Sequence, residues 1–211
     1  CYGYELNNYD DFINNSICLN SVHDDFIKYY NDSIYMIDEE KENILFITNE
    51  LSKTGAPIVL KKIILKLKDK YNIFVVSLYQ GDDIDFYINS DIFNYSIFKD
   101  YVRLGINILK KNINFIKNCV IDTVKPSIVY CNTFVSNFGI YGSNIKNKPY
   151  VILHVHEPEE EIINLINNNH IISFDFLNYC DKIITVNNYI NEFINSLYDF
   201  DNDKVTTIYN D

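Results

Sequence analysis

A chain of 211 residues that is 47% apolar has enough hydrophobic side chain for one large domain, or one and a half small ones, and is too apolar for wholesale disorder. Its formal charge is −11, with no basic stripe, which argues against a nucleic-acid partner. The charge is uneven: residues 1–43 hold ten acids and two lysines, a net of −8, and the rest is close to neutral.

Residues 1–43 are rich in Tyr and Asn and show weak periodicity. They fit an acidic extension or linker, the end of a preceding domain, or an element decorating a sheet edge. The character changes at Ile44, and residues 44–211 read as one domain. Ile44–Thr48 is a continuous apolar run, as expected of a strand covered on both faces. Pro57–Lys70 has helical period, with Leu60, Ile63, Ile64 and Leu67 on one face and Lys61, Lys62, Lys66 and Lys68 elsewhere. Pro57 suits the first helical position, where its missing N–H costs nothing. A second strand is predicted over Ile73–Tyr79, closed by Gly81-Asp82. Residues 84–100 are ambiguous, with a short strand over Tyr95–Phe98.

A long helical pattern covers Val102–Val124 and stops at Lys125-Pro126. Then come a strand over Ile128–Cys131, a helix over Phe134–Ile145, a strand over Tyr150–His154 and a helix over Pro158–Asn167. The last elements are a strand over Lys182–Val186, a helix over Tyr189–Leu197 and a strand over Val205–Ile208. Strands alternating with helices predict an α/β fold: a doubly wound, Rossmann-like parallel sheet in the order 3-2-1-4-5-6-7, with right-handed crossovers.

No run of eighteen apolar residues exists, and no secretory leader is visible. The five cysteines, Cys1, Cys18, Cys119, Cys131 and Cys180, form no CxxC pair. They read as buried or free thiols in a reducing compartment. The first residue is Cys rather than Met, so a piece of a longer chain is expected.

In doubly wound sheets ligands bind at the carboxyl ends of the strands. Three loops there carry chemistry. Thr54-Gly55-Ala56 sits where a helix begins, with free backbone N–H groups, the positive end of the dipole, and a glycine that lets an anion approach. The same residues also suit an ordinary strand-to-helix turn. The loop is neither GxGxxG nor a Walker sequence, which tells against dinucleotide and ATPase readings. In the stretch VILHVHEPEEEI, alternation puts His154 and His156 on one side. No further zinc ligands lie nearby, so no metal is expected. His154 reads as a core histidine bonded to a carbonyl, whereas His156 and Glu157 fall at the mouth of the sheet. Glu159, Glu160 and Glu161 suit a first helical turn. In the third loop, Asn132 and Thr133 fit helix caps, or a reach toward a sugar hydroxyl.

These segments, in order, resemble family-four retaining glycosyltransferases of the two-Rossmann-domain (GT-B) type. The matching stretches are ILFITNELSKTGAPIVL from Ile44, PSIVYCNTF from Pro126, PYVILHVHEP from Pro149, CDKIITVNNYINEFI from Cys180 and KVTTIYND from Lys204. Asn49 stands where that family often has His, Asn187 where it has Ser, and Asp211 where it has Gly. The resemblance implies an amino-terminal, acceptor-side domain, with a carboxyl-terminal donor-binding domain beyond Asp211. It implies transfer of a sugar, with retention, from a nucleotide-sugar co-substrate to a glycan or other acceptor, as in surface polysaccharide synthesis. No cofactor or metal is implied. Cytoplasmic location is, with peripheral association at the inner face of the membrane. Carried over by position, His156 faces the reacting centre, Gly55 and Ala56 lie near the donor diphosphate, and Thr54, Asn132 and Glu157 complete the binding residues. By itself such a half is expected to transfer nothing. The alternative from another class is a Rossmann-like module that binds a ligand or partner without catalysis.

Overall fold

A computed structural model of the chain describes residues 17–98, 106–168, 171, 173–198, 200 and 203–209. Seven strands form one parallel sheet: β1 (Asn43–Glu50), β2 (Asn72–Tyr79), β3 (Phe93–Phe98), β4 (Ile128–Cys131), β5 (Tyr150–Val155), β6 (Lys182–Thr185) and β7 (Val205–Thr207). Their order is β3-β2-β1-β4-β5-β6-β7, as the alternation of elements predicts. The helices between them are α2 (Gly55–Leu67), α3 (Ile84–Asn89), α4 (Ile106–Phe115), α5 (Asn137–Ser143), α6 (Glu159–Asn167) and α7 (Asn188–Leu197).

Alternation along the strands divides the core in two. Leu45 and Ile47 of β1 point to one face with Phe74, Val76 and Val129, where α4 and α5 cover them. Ile44 and Phe46 point to the other with Val75 and Tyr130, beneath Leu60 and Ile64 of α2. β2 is buried at every position, as a central parallel strand must be when helices cover both faces.

An additional helix, α1 (Ile17–Asp32), precedes the sheet. It lies against β3: the Phe26 ring meets Phe93, Tyr95 and Phe115 edge-on at centroid distances of 5.8, 5.2 and 5.6 Å. Tyr95 Oη also donates to the Val22 carbonyl at 3.1 Å.

Several boundaries differ from the sequence expectation. α2 starts at Gly55, two residues before Pro57, and ends at Leu67 rather than Lys70. Pro57 is tolerated two positions further in because no N–H of the first turn has an intrahelical partner. The helix expected over Phe134–Ile145 opens with a 3₁₀ turn, Phe134–Ser136, before α5. The third strand starts at Phe93. After α4 the chain passes through a π-helical segment, Ile116–Val120, and a last turn, Ile121–Val124. Lys125 then stops it in a left-handed conformation. The first part of the expected Val102–Val124 helix, 102–105, lies outside the described residues.

Candidate functional site

At the carboxyl edge the loops after β1, β4 and β5 enclose a cleft of about 240 Å³. Asn49 and Glu50 line it from β1, Thr54 and Ala56 from the turn into α2, and His156 and Glu157 from the loop after β5. The first loop is firmly built. Ser52 Oγ donates to Glu50 Oε1 at 2.9 Å and lies 2.8 Å from Thr54 Oγ1. Backbone N–H groups also tie it to the next loop, from Lys53 to Asp82 Oδ1 and from Asp83 to the Leu51 carbonyl.

Gly55 has φ of +33°, a conformation that disfavours any side chain, and a Cβ built there meets nothing within 4 Å. Its glycine therefore answers a backbone demand, and the space in front of it is open. The first N–H groups of the thirteen-residue α2 begin there.

Asn132 follows the last residue of β4, where Cys131 is opposite Leu153 of β5. It caps no helix. Its Nδ2 instead donates to the Ala56 carbonyl at 3.0 Å, so it braces the start of α2. Its Oδ1 is buried and has no hydrogen-bond partner among the described residues. Thr133 precedes the 3₁₀ turn without a side-chain cap bond, and its hydroxyl lies 2.9 Å from Ser136 Oγ.

His154 is a core histidine, but its partner is a phenol rather than a carbonyl. Tyr130 Oη lies 2.6 Å from His154 Nδ1. Burial raises the Tyr130 phenol pKa, so it keeps its proton. The His154 and His156 rings lie with centroids 4.0 Å apart. Both Nε2 atoms are buried without partners among the described residues. Burial, with the neighbouring His156, lowers His154 to about 3, and burial lowers His156 to about 4. Both rings are neutral near pH 7 and can each offer one donor or one acceptor.

Glu157 is buried and engaged. Its Oε1 accepts from Phe134 N at 2.8 Å and its Oε2 from His156 N at 3.1 Å. Burial drives its pKa up to about 7 against these bonds. The described lining holds three carboxyls, Glu50, Glu157 and Glu161, and no lysine or arginine.

The structure thus places Thr54, Ala56, His156 and Glu157 on one cleft, with the Gly55 backbone at its rim and Asn132 beneath Ala56. Sequence reasoning missed Tyr130. Its signal was there, since Tyr130 and His154 project to the same face of adjacent strands, but it needed the strand order. Among the described residues no group of three or more His, Cys, Asp or Glu is arranged to hold a metal ion. Cys119, Cys131 and Cys180 are free and buried. No described helix is long and apolar enough to cross a membrane.

No protein-family profile matches the chain, and no curated protein matches it. Solved structures do. HepE of Anabaena, in complex with UDP and glucose, superposes with a TM-score of 0.57 at 14% identity, over 79% of this chain and 44% of HepE. A glycosyltransferase from Rickettsia africae gives 0.54 at 17% identity, over 80% and 43%. Acinetobacter baumannii MurG gives 0.52 at 9% identity, over 81% and 45%. The chain therefore has the α/β, Rossmann-like fold found in GT-B glycosyltransferases, and it spans less than half the length of each of these structures.

Proposed function

We propose that the chain is the amino-terminal, acceptor-side wall of a retaining glycosyltransferase, which moves a sugar from a nucleotide-sugar to a glycan or similar acceptor. The observation that carries this reading is a set of buried polar atoms without partners among the described residues, at the carboxyl edge of the sheet: Asn132 Oδ1, His154 Nε2 and His156 Nε2. Leaving a buried polar atom unpaired costs about 1–3 kcal/mol, so such a group is retained where a ligand completes it. Neutral imidazoles and an amide oxygen match sugar hydroxyls, which both donate and accept. HepE, which shares the fold, is bound to UDP and glucose.

In this reading His156 sits nearest the reacting centre and bonds the transferred sugar or the acceptor hydroxyl. Thr54, Gly55 and Ala56 face the diphosphate, and the open N-terminus of α2 supplies partial positive charge. With three acids on the described lining, the remaining positive charge comes from a second wall, a donor-binding domain, closing over this one. Catalysis then rests on orientation and fixed dipoles. No membrane-spanning helix is required of such an enzyme, which acts in the cytoplasm or at the inner face of the membrane on a growing glycan.

The test is His156→Ala in a protein carrying this domain together with its donor domain, assayed with UDP-glucose and other nucleotide-sugars. Turnover should fall about 100-fold or more with unchanged folding. The 211 residues by themselves should transfer no sugar. Wild-type turnover by His156→Ala would remove the histidine from the site. Saturable UDP-glucose binding without transfer to any acceptor or to water would favour a non-catalytic binding module.

A further inference from the structure

The sequence pairs His156 and Glu157 as two site residues, but the structure gives them different tasks. Each oxygen of the Glu157 carboxylate takes one backbone N–H, and the two come from different loops. Phe134 opens the 3₁₀ turn after β4, twenty-three residues away in sequence. His156 is the residue whose imidazole lines the cleft. The residue is 8% exposed, so its bonds are sheltered from water.

From this juxtaposition we infer that Glu157 is a positioning residue: its carboxylate clamps the loop after β4 to the loop after β5 and so aims the His156 imidazole. This deepens the glycosyltransferase reading and rests on it for the purpose of the aim, though the clamp itself needs no ligand. A carboxylate suits the task because it has two acceptor oxygens and no donor. Glutamine has one acceptor oxygen and would turn an N–H toward one of the two backbone donors. Aspartate is one methylene shorter and cannot span the same gap.

The clamp also titrates in a useful range, because burial holds the acid near 7. The ionisable groups sharing its cleft are Glu161 of α6, Glu50 at the end of β1 and His156. Glu161 pushes Glu157 further up, and His156 stays neutral above about 4. Protonation of Glu157 converts one acceptor oxygen into a hydroxyl and loosens one arm.

The experiment is solution NMR on the chain without any sugar or nucleotide. In the wild type, the Phe134 and His156 amide resonances should move together with a common midpoint near 7. In Glu157→Gln that shared titration should vanish and Phe134 amide exchange should quicken about tenfold or more. The imidazole nitrogen resonances of His156 should shift as well, which a merely stabilising residue would not cause. A Phe134 amide that stays still between about pH 5 and pH 9 in the wild type overturns the clamp, even if no variant folds. Changes in Glu157→Gln confined to residues next to it in sequence overturn it too. Because no reading involves a sugar, failure of the clamp leaves the transferase reading standing, and failure of transfer leaves the clamp.

Discussion

Asn72 and Asn132 are both buried asparagines on the same parallel sheet, at opposite ends. Asn72, at the amino end of β2, is complete. Its Oδ1 accepts from Asp38 N, and its Nδ2 donates to the carbonyls of Asp38 and Lys41 and to Asn43 Oδ1. Asn43 in turn donates to the Val124 carbonyl at 2.7 Å. Asn132, at the carboxyl end of β4, has one bond and, among the described residues, a bare oxygen; at the same edge of the sheet two imidazoles each have a bare nitrogen. One end spends its polar groups on holding the chain. The other keeps them unpaired, which costs stability and makes sense only if something else pairs them. Predictions that contrast the two ends can break this division.

The largest effect should come from pH, and it should arise at the carboxyl end. His154 and His156 have folded pKa values of about 3 and about 4, below the usual 6.5. The unfolded chain therefore binds more protons than the folded one below 6.5, and stability falls as pH drops from there through 4 and 3. Glu157 works the other way. Raised from 4.5 to about 7, it makes the folded state the better proton binder between those values, so its share of stability falls as pH rises. Two histidines outweigh one acid up to about pH 7, where the protons held by the unfolded imidazoles balance the proton held by the folded acid. Urea melts across this range should show greatest stability near pH 7 from these three groups. A curve flat between pH 4 and 7 would mean that the carboxyl end is not strained as described.

The next effect belongs to the amino end. Asn72→Ala removes four hydrogen bonds and strands several backbone groups around 38–43, so it should cost about 2–4 kcal/mol by chemical denaturation. Asn132→Ala removes a single bond and should cost about 1 kcal/mol or less. Equal losses would erase the difference between the two ends.

Much of this arrangement is legible in the sequence, and the reasons for what is not are specific. Apolar strand runs and intervening periodic helices carry the strand order, and most strand bounds fall within two residues. α1 is harder to see because its buried face is aromatic and interrupted by acids. Val22, Phe26, Tyr29 and Tyr30 do recur at helical spacing, and that was the available signal. The π segment at Ile116–Val120 depends on a slip in backbone bonding that side-chain period does not record. Around the site, His156 and the Gly55 turn are readable from their positions at strand ends. The bonds from Glu157 to Phe134 and from Asn132 to Ala56 are not, because each joins a side chain to the backbone of a different loop. The Tyr130–His154 pair needs two strands to be neighbours before it exists.

A smaller effect is expected at Gly55. A side chain there would meet no atom, so Gly55→Val has no clash to relieve and suffers chiefly from the positive φ. That should cost about 1 kcal/mol or a little more. The valine would then stand in the open mouth of the cleft, in front of the first N–H groups of α2. In a protein that carries this domain together with its donor domain, transfer from UDP-glucose should therefore drop by more than the loss of folded protein explains. A variant with lowered stability but full turnover would make the loop a turn and nothing else.

The smallest stability effect, and the sharpest contrast with Asn72, is expected for His156→Ala. Truncation removes ring packing against His154, which destabilises. It also removes a buried nitrogen that has no partner, which stabilises, and it relieves His154 of a neighbour that depresses its pKa. These contributions oppose one another, so the melting midpoint in urea at pH 7 should change by less than about 1 kcal/mol equivalent, in either direction. Below pH 6.5 the sign becomes definite. With one of the two depressed imidazoles gone, the variant should lose stability with falling pH more gently than the wild type, and the gap between the two curves should widen from pH 6.5 down to about pH 4. A large loss at pH 7 would show that His156 holds the fold as Asn72 does, and the carboxyl end would then be no less structural than the amino end.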